Sequence, residues 1–366
     1  MVVLVAPCYP FRGGIADTSA AFVEKLQKKG TQVAVISFSL LYPKLLFPGK
    51  TPYSTEKKKL SFTADACIHM LNPLSWIRAA NRIRSLNPSL VVFRYWTPWL
   101  ALCYTIIARR LKTKKIAWVD NALPHERKMA DKVLLKTFLE AIDEVLCMSE
   151  HVAVEVSKHT NKKVITSFHP IDTKLPKAIS RNDAIKELGL DLSKEYLLFF
   201  GLIRPYKGLD ILIKSLPQLR INHPDIQLLV VGEPYEPLRK YRELAATLKV
   251  DDLILFHDRF VSTKDTPLWF GACTWVVQPY KSATQSGITP MAIHYARPSI
   301  VTNVGSLADG ITNKTGLIAQ ANPTSLAETI NKGIREKETF TEKQSYTNLQ
   351  EKRSWNTFCK DFSNTF

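Results

Sequence analysis

Short aliphatic segments alternate with amphipathic helical segments along the whole chain, and the alternation starts afresh at residues 195–200. Val2–Ala6 and Val33–Ser37 are the first two aliphatic segments, and a helical pattern separates them. The buried strands of a parallel sheet have this near-continuous hydrophobic character because helices cover both faces of the sheet. The alternation therefore predicts an α/β fold with two doubly wound, Rossmann-like domains.

The first domain is predicted to cover residues 1–170 and the second residues 171–350. Residues 351–366 are expected to form a helix that packs back toward the N-terminal domain. A polar segment, residues 169–194, is interpreted as the connection between the two domains. Because ligands of open parallel sheets bind at the carboxyl ends of the strands, we expect the functional site in a central cleft that both domains face.

The chain of 366 residues is strongly basic, with 50 Lys and Arg against 33 Asp and Glu and a formal net charge of +17. Residues 1–170 hold 25 of the basic and 12 of the acidic side chains, so most of the excess lies in the first half. Such a surface attracts nucleic acid, anionic lipid or phosphorylated substrates. A solvated basic face without a partner is the alternative interpretation.

Several kinds of protein are disfavoured by what the sequence lacks. The six cysteines are scattered without a Cys-x-x-Cys pair, which indicates free thiols in a reducing cytoplasm. The apolar N-terminus has no basic segment before it, and no apolar run reaches the length of a membrane span, so neither a secretion signal nor a span is predicted. Asp-x-Asp and His-x-x-x-His motifs are absent, so no metal is expected.

Two cations follow the first aliphatic segment of the second domain. Arg204 and Lys207 lie three residues apart in the sequence Gly-Leu-Ile-Arg-Pro-Tyr-Lys-Gly, after a predicted strand and before a predicted helix. A guanidinium binds phosphate oxygens with two parallel hydrogen bonds, and an ammonium adds a point charge. The pair therefore predicts a site for a diphosphate, although two exposed basic residues in a loop are the simpler alternative.

Small and hydroxyl-bearing residues follow a later strand. The segment Tyr280–Gly287 reads Tyr-Lys-Ser-Ala-Thr-Gln-Ser-Gly and precedes a predicted helix. Exposed amide groups at a helix N-terminus bind anions, and glycine lets the anion approach closely. An ordinary helix cap made by Thr284 or Ser286 is the alternative.

The first domain has two candidate segments of its own. The turn Phe11–Ala16, which contains Gly13 and Gly14, opens the first helix and could receive a phosphate or a sugar hydroxyl. A second segment, Asp120–Glu126, follows another strand, where titratable groups are candidates for substrate binding or acid–base catalysis. A tight turn and a helix cap are the respective alternatives.

These segments resemble the family-four type of glycosyltransferase, which has the two-domain GT-B architecture. The resemblance spans essentially the whole chain, and its specific parts are the Arg-Pro-Tyr-Lys-Gly and Ser-Ala-Thr-Gln-Ser-Gly sequences. It implies a retaining hexosyltransferase that uses a nucleotide-diphosphate sugar without a metal or another cofactor. The catalytic residues would be Asp120, Asn121, His125, Arg204 and Lys207, and the donor-binding residues would be Gly13, Gly14, Arg204, Lys207, Glu233, Arg259, Phe260, Thr284, Gln285, Ser286 and Gly287.

Two departures from the family pattern alter these expectations. The two carboxylates that many relatives carry around the second loop fall on Ala283 and Met291 in this chain. The contact with the donor sugar is therefore expected from Thr284, Gln285 or backbone amides. Relatives also have His-Asn where this chain has Asp-Asn at Asp120, which shifts attention to Asp120 and its neighbours.

The resulting hypothesis is transfer of a hexose from a UDP- or GDP-sugar to a hydroxyl of a glycan or lipid-linked acceptor, in polysaccharide or glycoconjugate biosynthesis. A nucleotide-sugar epimerase of the same fold is the alternative, and no nucleic acid is expected as a partner. The apolar and basic segment Leu40–Lys50, with Lys57–Lys59, either rests on an anionic membrane or packs internally. The protein is accordingly expected in the cytoplasm, with peripheral association at the inner face of the cell membrane as a hypothesis.

Overall fold

The computed structural model describes residues 1–43, 51–54, 59–124, 129–171, 175–284 and 286–366. They form two compact units. The first unit comprises Met1–His169 together with Trp355–Phe366, and the second comprises Pro170–Ser354.

A parallel sheet of seven strands forms the centre of the first unit, in the order β3-β2-β1-β4-β5-β6-β7. The neighbours of β1 are β2 and β4, so the strand order reverses direction between β1 and β4. Open α/β sheets bind ligands outside the carboxyl ends of their strands at such a reversal. The strands are β1 Val2–Val5, β2 Val33–Leu40, β3 Ala64–His69, β4 Leu90–Tyr95, β5 Lys114–Val119, β6 Glu144–Cys147 and β7 Lys163–Thr166.

Helices cover both faces of this sheet and bury its aliphatic side chains. The C-terminal helix Trp355–Thr365 belongs to this unit, since the rings of Phe358 and Phe362 lie 6.0 and 5.0 Å from that of Phe22. Aromatic pairs at this spacing add to the stabilisation that burial itself provides. The other helices are α1 Gly14–Lys28, α2 Pro73–Ser85, α3 Ala101–Ala108, α4 Met129–Glu140 and α5 Glu150–Ser157.

The second unit has a parallel sheet of six strands in the order β10-β9-β8-β11-β12-β13. Its strand order reverses between β8 and β11. The strands are β8 Glu195–Phe200, β9 Ile226–Val231, β10 Ile254–His257, β11 Trp275–Gln278, β12 Ser299–Thr302 and β13 Gly316–Ala319. The helices are α6 Arg181–Leu188, α7 Leu209–Asn222, α8 Arg239–Thr247, α9 Thr266–Ala272, α10 Ile288–His294, α11 Pro323–Arg335 and α12 Lys343–Lys352.

The segment that the sequence suggests as a connection is part of the second unit. In α6, Ala184 and Ile185 are buried in the same cluster as residues of α9. The two helices pack so closely that a Cβ atom on Gly271 would lie 2.9 Å from the Cβ of Ala184. The helix α6 is therefore an integral part of the second unit, because its apolar side chains need a core to bury them.

Candidate active site

Two loops meet where the strand order of the second unit reverses. Residues 201–208 follow β8, and residues 279–287 follow β11. Gly208 has a φ of 69°, and a Cβ atom there would clash with the carbonyl oxygen of Pro279. Only glycine fits this left-handed position against another backbone. The two loops that the sequence singles out are therefore in contact at the carboxyl edge of the sheet.

Arg204 lies in the first of these loops with an unused hydrogen-bond donor. Its guanidinium stacks over the ring of Tyr235 at 4.6 Å. Its Nε atom is buried and donates no hydrogen bond to any residue of the described ranges. A buried donor without an acceptor costs about 1–3 kcal/mol, and a bound anionic oxygen would satisfy it.

Lys207, three residues further along, is only 7% exposed. Burial and the nearby charge of Arg204 lower the pKa of its ammonium to about 7. Its Nζ lies 5.5 Å from the centre of the Tyr280 ring. No carboxylate in the part of the chain that the structure describes forms an ion pair with either cation. The two positive charges are therefore placed together without a described carboxylate to balance them.

The second loop is held by hydrogen bonds of its own residues and by an ion pair with α7. The hydroxyl groups of Tyr280 and Ser286 lie 3.3 Å apart, and Ser286 Oγ accepts a hydrogen bond of 3.1 Å from the backbone amide of Ile288. Ser286 precedes Gly287, the N-cap residue of α10, so this bond closes the turn before the helix and is not the side-chain cap that the sequence leaves as an alternative. Lys281 forms an ion pair of 2.8 Å with Asp210 at the start of α7. These contacts fix the loop beside Arg204 and Lys207.

The remaining predicted residues of this loop differ in their surroundings. Thr284 is half-buried, and Gly287 has open space where a side chain would project. Gln285 lies outside the described residues. Ala283, at a position where many relatives carry a carboxylate, is buried, and a Cβ atom on Gly305 would clash with its carbonyl oxygen.

Three further predicted residues follow β9 and β10. Glu233 is 8% exposed and comes directly after the turn that ends β9. Arg259 donates a hydrogen bond of 3.0 Å to Nε2 of His257, whose pKa is lowered by burial and by the charge of Arg259. Phe260 is 57% exposed, so its ring is accessible for stacking on a planar ligand.

The glycine turn of the first unit opens α1 without a side-chain cap. Gly13 is the N-cap residue, with a φ of 104°, and it offers no side chain to the first amide groups of the helix. A Cβ atom on Gly13 or Gly14 would meet no described atom within 4 Å. The turn is therefore open to a ligand, and the φ of Gly13 is one that other residues rarely adopt.

The structure gives Asp120 a partner that the sequence does not reveal. Its two carboxylate oxygens accept hydrogen bonds of 2.7 and 2.9 Å from Nε and Nη2 of Arg94, and both side chains are buried. Oδ1 of the adjacent Asn121 is buried and accepts no hydrogen bond from the described residues. His125 lies outside the described residues. A catalytic role for Asp120, Asn121 and His125 stays a prediction.

Residues 194–336 match the family model described as glycosyl transferases group 1. Most of the second unit therefore resembles the group 1 glycosyl transferases. The matched range includes Arg204, Lys207 and the loop 279–287. The resemblance to glycosyltransferases that these segments predict is therefore confirmed.

Curated relatives are similar to this chain over part of their length. The chain is 31% identical to a lipopolysaccharide core biosynthesis mannosyltransferase of Rhizobium meliloti over 163 residues, which are 42% of this chain and 45% of that protein. It is 34% identical to the GDP-mannose:glycolipid 4-beta-D-mannosyltransferase of Xanthomonas campestris over 105 residues, 28% of each chain. An uncharacterized glycosyltransferase of Bacillus subtilis is 24% identical over 60% of this chain and 57% of its own length. The chain thus spans 28–57% of these relatives.

Solved structures are similar over the whole chain. A sucrose-phosphate synthase from Thermosynechococcus elongatus has a TM-score of 0.77 at 16% identity, covering 99% of this chain and 97% of that one. Anabaena HepE in complex with UDP also has a TM-score of 0.77, at 14% identity, covering 100% and 99% of the two chains. At these identities the likeness concerns the fold alone. The predicted fold class, two Rossmann-like doubly wound α/β domains of the GT-B type, is confirmed.

Proposed function

We propose that this protein is a retaining, metal-independent glycosyltransferase that moves a hexose from a UDP- or GDP-sugar to a hydroxyl of a glycan or lipid-linked acceptor. The observation that carries the proposal is the pair Arg204 and Lys207, two adjacent cations without a carboxylate partner among the described residues. They lie at the reversal of the second sheet, inside the range that matches the family model. None of the relatives named above is an epimerase, and the epimerase alternative gains no support.

The charges of this site fit the diphosphate of a nucleotide sugar. The Arg204 Nε atom lacks an acceptor within the described ranges, and the pKa of Lys207 is lowered to about 7 by burial and by Arg204. A diphosphate would supply the missing acceptor and favour the charged form of Lys207. Charge-assisted hydrogen bonds of this kind are among the strongest in proteins.

The same cations account for the chemical step that we propose. Cleavage of the bond between sugar and phosphate passes through a transition state of oxocarbenium character, and negative charge grows on the leaving diphosphate. Arg204 and Lys207 stabilise that charge because they are held in place before the reaction begins. In the proposed same-face reaction, the leaving phosphate accepts the proton of the acceptor hydroxyl, so the sugar keeps its anomeric configuration without a protein nucleophile.

Independence from metal is part of the proposal. Within the described ranges, no group of three or more His, Cys, Asp or Glu side chains could hold a metal ion. Arg204 and Lys207 supply positive charge where a diphosphate leaving group needs it, which supports a reaction without a divalent ion.

The names of the relatives guide the choice of donor and acceptor. One relative is named for GDP-mannose and a glycolipid, one for lipopolysaccharide core biosynthesis, and one similar structure contains UDP. None of the helices that the structure describes has the length and hydrophobicity that a bilayer crossing requires. We include peripheral contact with an anionic membrane in the proposal, as the route to a lipid-linked acceptor.

Exposed apolar side chains support such contact. The set that we call the apolar edge consists of Leu71, Leu74, Trp99 and Leu102, all exposed at or beside the N-terminal ends of the neighbouring helices α2 and α3. Exposed arginines follow within α2 and directly after α3, and side chains of both kinds bind anionic bilayers together. Of the segments predicted to meet the membrane, residues 44–50 and 57–58 lie outside the described residues.

Donor binding tests the proposal directly. A panel of UDP- and GDP-sugars is screened for thermal stabilisation, since a ligand that binds the native state raises its stability with the logarithm of concentration over Kd. We expect at least one nucleotide sugar to raise the Tm. The variants Arg204→Ala and Lys207→Ala should weaken its binding by about 10- to 100-fold, because each removes a charge-assisted hydrogen bond.

Matched controls come from the same unit. Lys214 is exposed on α7, and Arg335 is exposed in the last turn of α11, so Lys214→Ala and Arg335→Ala remove the same charges outside the two loops. Both controls should bind the donor as the unaltered protein does. Donor binding that survives both Arg204→Ala and Lys207→Ala at full strength would remove the basis of the proposed function.

A further inference from the structure

A cavity of about 480 Å³ lies at the amino-terminal edge of the sheet of the first unit. Its walls come from the end of α1, the start of β2, the segment that enters β3 and the end of α2. The strand β3 begins late, because its first pair with β2 joins Ala64 to Val35. Val33 and Ala34, which also line the cavity, therefore have no partner on β3, and the cavity occupies this gap.

The cavity lies at the edge opposite to the one where ligands of such sheets bind. The strand β2 runs from Val33, beside the cavity, to Leu40, so the two edges are about 23 Å apart at a rise of about 3.3 Å per residue. Open α/β sheets bind their ligands outside the carboxyl ends of the strands. The cavity is therefore separate from any site at the reversal of strand order in this sheet.

The charged side chains that line the cavity balance each other. Arg82 Nε donates a hydrogen bond of 3.0 Å to a carboxylate oxygen of Asp65, and these two are the charged members of the lining. A paired cation and anion leave no net charge to attract an ion, and the carboxylate repels an anion such as phosphate. The cavity therefore favours an uncharged ligand.

Several polar groups of the lining have hydrogen bonds still to make. Within the described ranges, no bond is formed by the Nη atoms of Arg82, by Nε2 of Gln27 or by the hydroxyl of Thr63. Oε1 of Gln27 accepts a hydrogen bond of 3.2 Å from Oγ of Ser61, which orients the amide group. Guanidinium and amide groups donate in fixed directions, and a hydroxyl both donates and accepts. This set matches a ligand that carries several neighbouring hydroxyl groups.

Apolar side chains complete the walls of the cavity. Phe62 and Leu86 are half-buried, and the side chains of buried Val35 and Ile36 lie between them and the core. Small-molecule sites typically combine such apolar walls with a few polar groups, in volumes of about 300–1,000 Å³. A sugar fits this combination, since C–H groups alternate with hydroxyl groups around its ring. A peptide strand does not fit, because the gap beside β2 is two residues long and strands usually have three or more.

We propose that this cavity binds a neutral sugar unit of a glycan, as a second site separate from the site of sugar transfer. Arg82, Gln27 and Thr63 donate hydrogen bonds to its hydroxyl groups, and Phe62 and Leu86 contact the C–H groups of its ring. The identity of the glycan as the acceptor of transfer rests on the proposed function. The binding of the sugar does not, because it needs no donor.

Sugar binding without donor is the first measurement. Glucose, mannose, galactose and N-acetylglucosamine are each added at up to about 50 mM, and saturation-transfer NMR detects the bound sugar. We expect at least one of the four to bind. It should also slow the hydrogen exchange of residues 33–36 and 61–65 at least about twofold, because a ligand in the cavity suppresses local opening there.

Three variants test the residues of the cavity. Arg82→Met should raise the Kd of the bound sugar about tenfold and Gln27→Leu about fivefold, because each removes a hydrogen-bond donor and keeps the approximate size of the side chain. Thr63→Trp, at an exposed position, should abolish binding because it fills the cavity. All three should keep the Tm, since exposed ion pairs contribute little stability.

The controls remove similar groups outside the cavity. Arg84 and Asn81 are exposed on α2 and do not line it, so Arg84→Met and Asn81→Leu should bind the sugar as the unaltered protein does. Arg204→Ala should also bind it equally well, since Arg204 belongs to the second unit.

The outcomes separate this proposal from the proposed function. Failure of all four sugars to bind, or equal binding by all three cavity variants, overturns the second site, and so does loss of binding in Arg204→Ala. If the protein transfers no sugar from any donor, the proposed function fails, while sugar binding that the cavity variants lose still establishes the second site. With active enzyme, a raised KM for a glycan acceptor in Arg82→Met at unaltered kcat identifies that glycan as the ligand of the cavity.

Discussion

The side-chain ammonium of Lys207 changes its charge near neutral pH because it is buried beside Arg204. Burial and the charge of Arg204 lower its pKa to about 7. In the unfolded chain its pKa is ordinary, so between these two values the unfolded state binds the proton more tightly. The cost of the buried charge to folding is therefore fully present below pH 7 and fades as the pH rises toward the ordinary value.

This pKa predicts how donor binding changes with pH. We propose that the protonated form binds the diphosphate. Affinity for UDP-glucose, whose phosphates do not titrate near neutrality, should then be greatest below about pH 7 and should fall above it by up to about tenfold per pH unit. Calorimetry in buffers of different ionisation enthalpy should also show proton uptake on binding. In Lys207→Arg the slope should vanish, because a guanidinium stays charged. An equally steep slope in that variant would contradict the assignment.

For individual residues, sequence and structure differ in what they reveal about the hydrogen-bond and ion-pair partners of a side chain. Arg204 and Lys207 are predictable because they are three residues apart and follow a recognisable strand. The bond between Arg94 and Asp120 joins residues 26 positions apart, and nothing in either segment announces it. The one available signal is a charged residue within the apolar run of β4, which a buried strand tolerates only when the charge is paired.

At the scale of secondary-structure elements, the sequence predicts the interior strands of the two sheets but not all of the edge strands. The aliphatic runs indicate β1, β4, β8 and β9 because these strands are buried on both faces. The sequence pattern does not indicate β3 and β13, which lie at sheet edges and contain small or polar residues. Packing against the neighbouring strand determines that these segments are extended, and a local sequence pattern does not show such packing.

The apolar edge, at the helices α2 and α3, is predicted to bind anionic membranes. The unaltered protein should float with vesicles that contain anionic lipid at physiological salt, because apolar side chains and arginines act on the bilayer together. Leu74→Asp with Leu102→Asp should abolish flotation while donor binding stays unchanged, since both side chains are exposed. Val154→Asp, at another exposed apolar position of the first unit, is the control. Flotation by the double variant, or none by the unaltered protein, would contradict the membrane hypothesis.

At the scale of the whole molecule, we propose that the net charge of +17 has two parts with different roles. Arg204 and Lys207 place positive charge beside the loops of the second unit without a carboxylate partner in the described ranges. The larger excess lies in residues 1–170, where we propose that it serves an anionic acceptor or membrane. Residue counts predict the excess in the first half, and position after a predicted strand predicts the pair, but only the structure shows that Lys207 is buried beside Arg204.

The central claim is that these two cations stabilise a leaving nucleoside diphosphate during sugar transfer without a metal. The most direct measurement is the rate of nucleoside diphosphate release from the donor found in the binding screen, in excess chelator. We predict turnover in chelator and a fall of about 100-fold or more in kcat for Arg204→Ala and for Lys207→Ala, with Lys214→Ala unaffected. Turnover that requires an added divalent ion, or that persists at full rate in both variants, would contradict the claim.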